Sequence, residues 1–221
     1  MKEYWERLEI WLSTYLPEVL ANLKPGCTDS ELESLEQQLG VALPNDFKSF
    51  YLIHNGQELF PNNRITSGLF FGLEFLSVDG IYNQWDLWQE LIATEEDIAE
   101  LGLECTSAQP GKVKELYANN NWIPFAHDGS GNHLGLDLDP DAKGVVGQII
   151  NFGRDESKKY VLANSFTGFI DWLLLQYESG NFVIHSESVG NRYVNVFKTK
   201  IPEKSHFLDA VPSLFADDVV P

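Results

Sequence analysis

Residues 122–139, WIPFAHDGSGNHLGLDLD, decide how this chain folds, because two apolar runs flank the densest cluster of turn-forming residues in the sequence. Leu134, Leu136 and Leu138 fall on one side of an extended segment, and His133, Gly135, Asp137 and Asp139 fall on the other. That alternation is the period-two pattern of a half-buried strand, so the stretch reads as a hairpin with one face in water. Gly129, Gly131 and Asn132 tolerate positive φ and suit the reversal between its strands.

Around this hairpin there is enough apolar material for a proper core: 221 residues, 43% hydrophobic and 13% aromatic. The 33 acidic residues against 15 basic give a formal charge of −18. Such a balance argues against gripping nucleic-acid phosphates or an anionic membrane, and it would steer a basic protein partner toward the surface. Cys27 and Cys105 are far apart and in no C-x-x-C pair, so neither a disulfide framework nor a zinc knuckle is indicated and the cytoplasm is the default location. The opening MKEYWERLEIW lacks the apolar stretch and cleavage site of a signal peptide. No run of about 18 apolar residues is present to span a bilayer.

Outward from the hairpin toward the N-terminus, apolar residues at 3–23 recur at steps of three and four, interrupted by Pro17. One helix ending near Tyr15 and a second opening at Pro17 account for this, with Trp5 and Trp11 in the core rather than a ligand-stacking pair. Lys24-Pro25-Gly26 stops the second, and Thr28 with Glu31 forms a capping box for a third carrying Leu32, Leu35 and Leu39. Pro44 opens a further helix through Phe47, Phe50, Tyr51 and Ile53, closed by Asn55-Gly56. A loop at 61–64 leads to the strand-like run LFFGL at 69–73, then to a helix at 81–92 and an acidic, solvated segment at 95–103. After the turn Gln109-Pro110-Gly111, residues 113–117 read as a strand.

On the other side, VVGQIINF at 145–152 is a β-branched strand run. Ser165 caps a helix with Phe166, Phe169, Ile170, Leu173, Leu174 and Tyr177 on its apolar face, stopped at Gly180. The segment YVNVFK at 193–198 alternates like a sheet-edge strand, and the residues beyond Pro202 show no period and are expected to form a loosely packed extension.

Taken together, these pieces resemble the SUKH superfamily, the domain shared by fungal cell-wall assembly regulators and many bacterial toxin-immunity proteins. The resemblance rests first on Leu35, Glu36, Leu39 and Gly40, on Leu43, Pro44, Asp46 and Phe47, and on Asn55-Gly56. It continues through WIPFAHDGSGN at 122–132, LGLDLDP at 134–140, GVVGQIINF at 144–152, Gly153-Arg154-Asp155, and SFTGFIDWLL at 165–174. Each motif is generic, but their order and number, over roughly residues 17–180, make the joint match specific. The resemblance implies an α+β fold, with an antiparallel sheet of about five to six strands flanked by N-terminal helices and a C-terminal helix. It places a single domain at 1–184 and an extension at 185–221.

Asp128, Ser130, Asn132 and Asp139 approximate the first, third, fifth and twelfth positions of a calcium loop. His133 stands where the glycine should, Asp139 replaces the usual glutamate, and the flanks read as strands, so turn chemistry is the expected role and no metal is assigned. Asp137, Asp139 and Asp141, spaced by two, suit paired acid/base carboxylates or an exposed strand face, the latter being preferred. His127 and His133 across the turn would make a dyad, yet no nucleophile elbow accompanies them. Cys27 precedes a helix N-terminus, which would lower its pKa, or it is a small residue beside a cap.

The expected function is therefore a non-catalytic protein-binding domain with no cofactor. The resemblance implies, for a bacterial member, an immunity protein that neutralises a basic cognate toxin such as a nuclease. The alternatives are a regulatory scaffold resembling the cell-wall assembly regulators and, behind it, an enzyme of unknown reaction. The acids expected at the partner surface are Asp137, Asp139, Asp141, Asp155 and Glu156, with Trp122 an aromatic anchor if exposed and a core residue if not.

Overall fold

The computed structural model describes residues 1–58, 67–94, 98–189, 192–204 and 206–216. The loop expected at 61–64, the start of the acidic segment at 95–97, and tail residues 205 and 217–221 lie outside the described residues. In chain order the elements are α1 (Lys2–Tyr15), α2 (Pro17–Asn22), β1 (Leu23–Pro25), α3 (Asp29–Leu39), α4 (Asn45–Tyr51), β2 (His54–Gln57) and β3 (Glu74–Phe75). Then come α5 (Val78–Thr94), α6 (Ile98–Gly102), β4 (Thr106–Ser107), β5 (Trp122–His127), β6 (Asn132–Asp137), β7 (Gln148–Gly153), β8 (Lys158–Lys159) and β9 (Val161–Ala163). The last are α7 (Phe166–Glu178), β10 (Phe182–Val189), β11 (Arg192–Thr199) and α8 (Phe207–Leu214).

The fold is α+β, built on a five-stranded antiparallel sheet in the order β3-β5-β6-β7-β9. The hairpin read from 122–139 forms its centre, with Trp122 opposite Asp137 and His127 opposite His133. On one face Ile123, Phe125, Leu134, Leu136 and Ile149 join a large core with the helices before and after the sheet. Phe125 sits edge-on to Phe166 and Phe169 of α7, at 5.3 and 5.7 Å between ring centres. Burying each large side chain of this face contributes about 1.5–3 kcal/mol. The N-terminal helix is tied to α7 by a two-pronged Arg7–Glu178 pair, at 2.8 and 2.7 Å, and Trp11 donates its indole N–H to the Tyr177 carbonyl at 3.1 Å.

Local signals fix several elements where they were expected. Pro17 opens α2 after α1 ends at Tyr15. Thr28 and Glu31 complete the capping box of α3, and Ser165 caps α7 by accepting the Gly168 N–H at 3.0 Å.

Elsewhere tertiary contacts override the local pattern. The hairpin was expected to leave one face in water, but every residue of β6 is buried, because α5 and the chain around Val113 cover the second face. There Trp122, Ile150, Phe152 and Val161 form a smaller core with Trp88 of α5 packed against it. The run 69–73 is a tight turn rather than a strand: Phe71 takes φ 50°, and bridges join Gly68 to Gly72 and Phe70 to Leu73. Residues 113–117 form no strand: the Val113 N–H goes to the Ser107 hydroxyl at 3.4 Å and the Leu116 N–H to the Lys114 carbonyl at 2.9 Å, local bonds in place of a ladder. Val145 and Val146, placed in a strand by their β-branching, are exposed in a turn, and β7 begins at Gln148. α4 stops at Tyr51, and Asn55-Gly56 lies in β2, which pairs with β1.

The tail differs as well. Residues 193–198 belong to β11, which pairs with β10 in a hairpin of its own and not with the central sheet. α8 buries Phe207, Leu208, Ala210 and Val211, and Phe71 stacks on Phe207 at 5.3 Å and on Phe197 at 5.0 Å. The segment is therefore packed rather than loose. Its apolar residues Phe207, Leu208, Val211, Leu214 and Phe215 do recur at helical steps, over a stretch so short and so interrupted by Pro212 that the period is easily missed, and Phe207 meets aromatic partners far away in sequence.

Candidate functional site

The residues expected at a partner surface divide into three groups. Trp122 is 1% exposed and Asp137 0%, so neither reaches a partner. Asp137 accepts the Trp122 indole N–H at 3.1 Å, the Gln148 amide at 2.8 Å and the Asp139 backbone N–H at 3.1 Å. Burial nonetheless pushes its carboxyl up to about 6, against the opposing pull of these three donors. It is a structural carboxylate inside the sheet, and the pairing with Asp139 on one exposed strand face does not form.

Asp139 and Asp141 lie beyond the end of β6 and are partly exposed. Asp139 bonds Lys114 at 2.5 Å and Asn119 at 3.0 Å, and the Lys114 hydrogen bond holds its carboxyl below the usual range. Asp141 accepts the Ala142 N–H at 2.7 Å. Asp155 and Glu156 sit at the opposite end of β6, where Asp155 meets the Asn132 amide at 3.3 Å and Glu156 is held by the Asn151 amide. Residues 132 to 137 span five steps of strand, so the two acid pairs stand roughly 17 Å apart. The structure does not bring them into one patch.

The Asp128-to-Asn132 turn is built by its own side chains. Asp128 Oδ1 accepts the N–H groups of Ser130 at 2.6 Å and Asn132 at 3.0 Å, and its Oδ2 accepts the Asn132 amide at 2.8 Å. His127 and His133 stack at 4.7 Å between ring centres. Burial drives His133 down to about 3, so it stays neutral. Its Nε2 faces Gln84 of α5 at 3.1 Å, while Nδ1 has no partner among the described residues. Cys27 is also the opposite of a primed nucleophile: burial raises its thiol to about 11, and it donates to the Tyr51 carbonyl at 3.3 Å.

A surface not singled out in the sequence combines open space with charge. On the outer side of α3, Asp29, Glu33 and Glu36 follow one another at helical spacing, beside the turn Gly40-Val41-Ala42 into α4. Glu33 and Glu36 line two open clefts, of about 350 and 280 Å³, on this face. Glu36 is committed to the Leu43 N–H at 2.7 Å and to Lys48 at 3.1 Å, which fixes the α3–α4 turn. Asp29 and Glu33 are exposed. The signal for this face was present, since Leu32, Leu35 and Leu39 define the buried stripe and the acids occupy its complement.

Residues 26–172, which hold α3, α4, the central hairpin and the start of α7, match the sequence model of the SMI1 / KNR4 family (SUKH-1). The chain belongs to this family. Among SUKH-1 relatives, the "Cell wall assembly regulator SMI1" of Saccharomyces cerevisiae is 29% identical over 206 residues, covering 81% of this chain and 41% of that protein. The "Cell wall biosynthesis/cell cycle regulator smi1" of Schizosaccharomyces pombe is 30% identical over 201 residues, 88% of this chain and 39% of the relative. The "Glucan synthesis regulatory protein" of Neurospora crassa is 30% identical over 232 residues, 92% and 43% respectively. The chain thus spans less than half the length of each of these SUKH-1 relatives. No helix among the described residues is long and apolar enough to cross a membrane.

Proposed function

We propose that this SUKH-1 domain is a non-catalytic, protein-binding regulatory module of cell-wall assembly, acting in the cytoplasm on a basic protein partner. The observation that carries this reading is the α3–α4 face, where exposed Asp29 and Glu33 border open clefts on a chain of formal charge −18. Such a surface speeds encounter with a basic partner and gives binding that weakens with salt. The regulator names of the relatives support the cell-wall setting. The titratable groups with large shifts support a non-catalytic role, because Asp137, His133 and Cys27 are enclosed in packing or hydrogen bonds rather than converging on a cleft.

The toxin-neutralising reading would use the same charge, and it ranks second because the relatives carry regulator names. The test is a chimera in which this chain replaces the matching segment of the yeast regulator, with cell-wall glucan and growth on a wall-binding dye as readouts. The chimera is expected to restore both, and Asp29→Lys with Glu33→Lys to lose them without lowering protein abundance. A folded chimera that restores nothing sinks the regulatory reading. Restoration indifferent to the charge reversals removes the α3–α4 face from it.

A further inference from the structure

The parallel pair β4–β8 sets Thr106 against Lys158 and Ser107 against Lys159, which brings the adjoining Cys105 close to Lys159. Cys105 Sγ and Lys159 Nζ are 3.9 Å apart, and Lys159 is 0% exposed. A buried ammonium ordinarily requires a carboxylate. Among the described residues, no carboxylate lies within ion-pair distance of this one. Its nitrogen donates to the Glu156 backbone carbonyl and to Cys105 Sγ, and it lies 5.6 Å from the Trp122 ring centre. The Glu156 carboxylate is itself engaged by Asn151. Desolvation lowers the proton affinity of Lys159, against the opposing pull of Cys105 and Glu156. Cys105 is itself only 4% exposed, but it lies between exposed Glu104 and Thr106, just beneath the surface, so the oxidant required is one as small as hydrogen peroxide.

We infer that Cys105 and Lys159 are a redox-dependent modification site, in which oxidation by a peroxide joins Sγ to Nζ as a sulfenamide. In the first step the sulfur attacks hydrogen peroxide. An S–O bond forms, the O–O bond breaks, and the thiol proton leaves with the departing oxygen as water. In the second step the Lys159 ammonium gives up a proton to solvent and the resulting amine attacks the sulfenic sulfur. The N–S bond forms, the S–O bond breaks, and the hydroxyl leaves as water with one amine proton. Peroxide is reduced, the sulfur is oxidised, and a thiol restores both side chains. The cross-link ties β4, which follows the acidic helix α6, to β8 beside the central sheet.

The experiment treats the whole purified chain with hydrogen peroxide, then digests it with trypsin without reductant and maps the peptides by mass. The expected product is a Cys105–Lys159 linked pair weighing about 2 Da less than the two peptides together, with cleavage after Lys159 lost and both effects reversed by dithiothreitol. Lys159→Gln, which keeps a donor for the Glu156 carbonyl, is expected to abolish the link and let Cys105 proceed to the sulfinic acid. Cys105→Ser, nearly the same size, also abolishes it and serves if Lys159→Gln does not fold. Oxygen added at Cys105 in the unsubstituted chain with Lys159 still cleaved, a Cys27–Cys105 disulfide, or no change at Cys105 overturns the inference.

Discussion

On one face of the central sheet, Leu134 and Leu136 meet Phe125 and the rings of α7; on the other, His133 beneath Trp88 of α5 and Asp137 between Trp122 and Gln148 are enclosed just as fully. The first face is held by area and close packing, which are non-directional and indifferent to pH. The second depends on each polar group finding a partner, and its ionisable members carry a cost that varies with pH. Among the described residues, Asp137 has three donors, whereas His133 keeps one ring nitrogen unpaired. Burial alone therefore does not say how a face of a sheet will respond to change. What stabilises it does.

The largest effect should come from the apolar face. Phe125→Ala removes a ring in contact with Phe47, Phe70, Phe166 and Phe169. It is expected to lower the free energy of unfolding by about 3–5 kcal/mol in urea, independent of pH between 5 and 8. A loss below about 1 kcal/mol would mean the face collapses around the gap far better than interior packing of this density allows.

The same contrast explains what the sequence made legible. The leucines at 134 and 136 and the aromatic residues of α7 announce their face, since period two and period 3.6 are local patterns. So do the Thr28 and Ser165 caps and the Pro17 break. The second face is disguised, because His133, Gly135 and Asp137 alternate as solvent-facing residues do, and only the long-range partners Gln84, Trp88 and Gln148 enclose them. Trp122 reads as an anchor if exposed and as core if not for the same reason. Phe207 and Val211 do stand one helical step apart, but Pro212 breaks into a helix of only eight residues and disguises the period, and the rings that meet Phe207 lie on α7 and in the turn at Phe71. Of the candidate site, the acids were legible as charge. Which of them share a surface was not, since Asp139 and Asp155 sit at opposite ends of one strand.

Protonation of Asp137 and His133 sharpens the comparison with opposite signs. The Asp137 carboxyl is raised from 3.8 to about 6, so between those values the folded state holds a proton that the unfolded state has lost. Stability therefore falls as pH rises through that window, by roughly 3 kcal/mol in total. His133 is lowered from 6.5 to about 3, so the unfolded state binds the extra proton and stability rises with pH over that range. Where the two windows overlap, from about pH 4 to 6, the slopes oppose each other. Asp137→Asn keeps an acceptor for Trp122 but sets its amide against that of Gln148, so it should be the less stable protein at pH 4. Its deficit is expected to shrink by roughly 3 kcal/mol on going to pH 7. His133→Phe, which preserves the stack on Phe152, should leave a profile that falls with pH relative to the unsubstituted chain. Profiles of either variant that run parallel to the unsubstituted one from pH 4 to 7 would contradict this account.

The smallest effect concerns the glycine between these two groups. Gly135 faces the second core, where an added Cβ would lie 2.5 Å from the Phe152 ring and 2.7 Å from the Ile123 carbonyl oxygen. Gly135→Ala is expected to cost about 1–3 kcal/mol by overpacking, although glycine is otherwise the poorer strand residue. Two obstacles contribute, and they can be separated. Phe152→Leu withdraws the ring but leaves the Ile123 backbone in place, so the double variant should be more stable than the two single losses predict, by about 0.5 kcal/mol or more. The residual penalty of Gly135→Ala measured in the Phe152→Leu background then reports the backbone clash alone. If the losses simply add, the ring is not what excludes a side chain at 135, and the second face is looser around Phe152 than its burial implies.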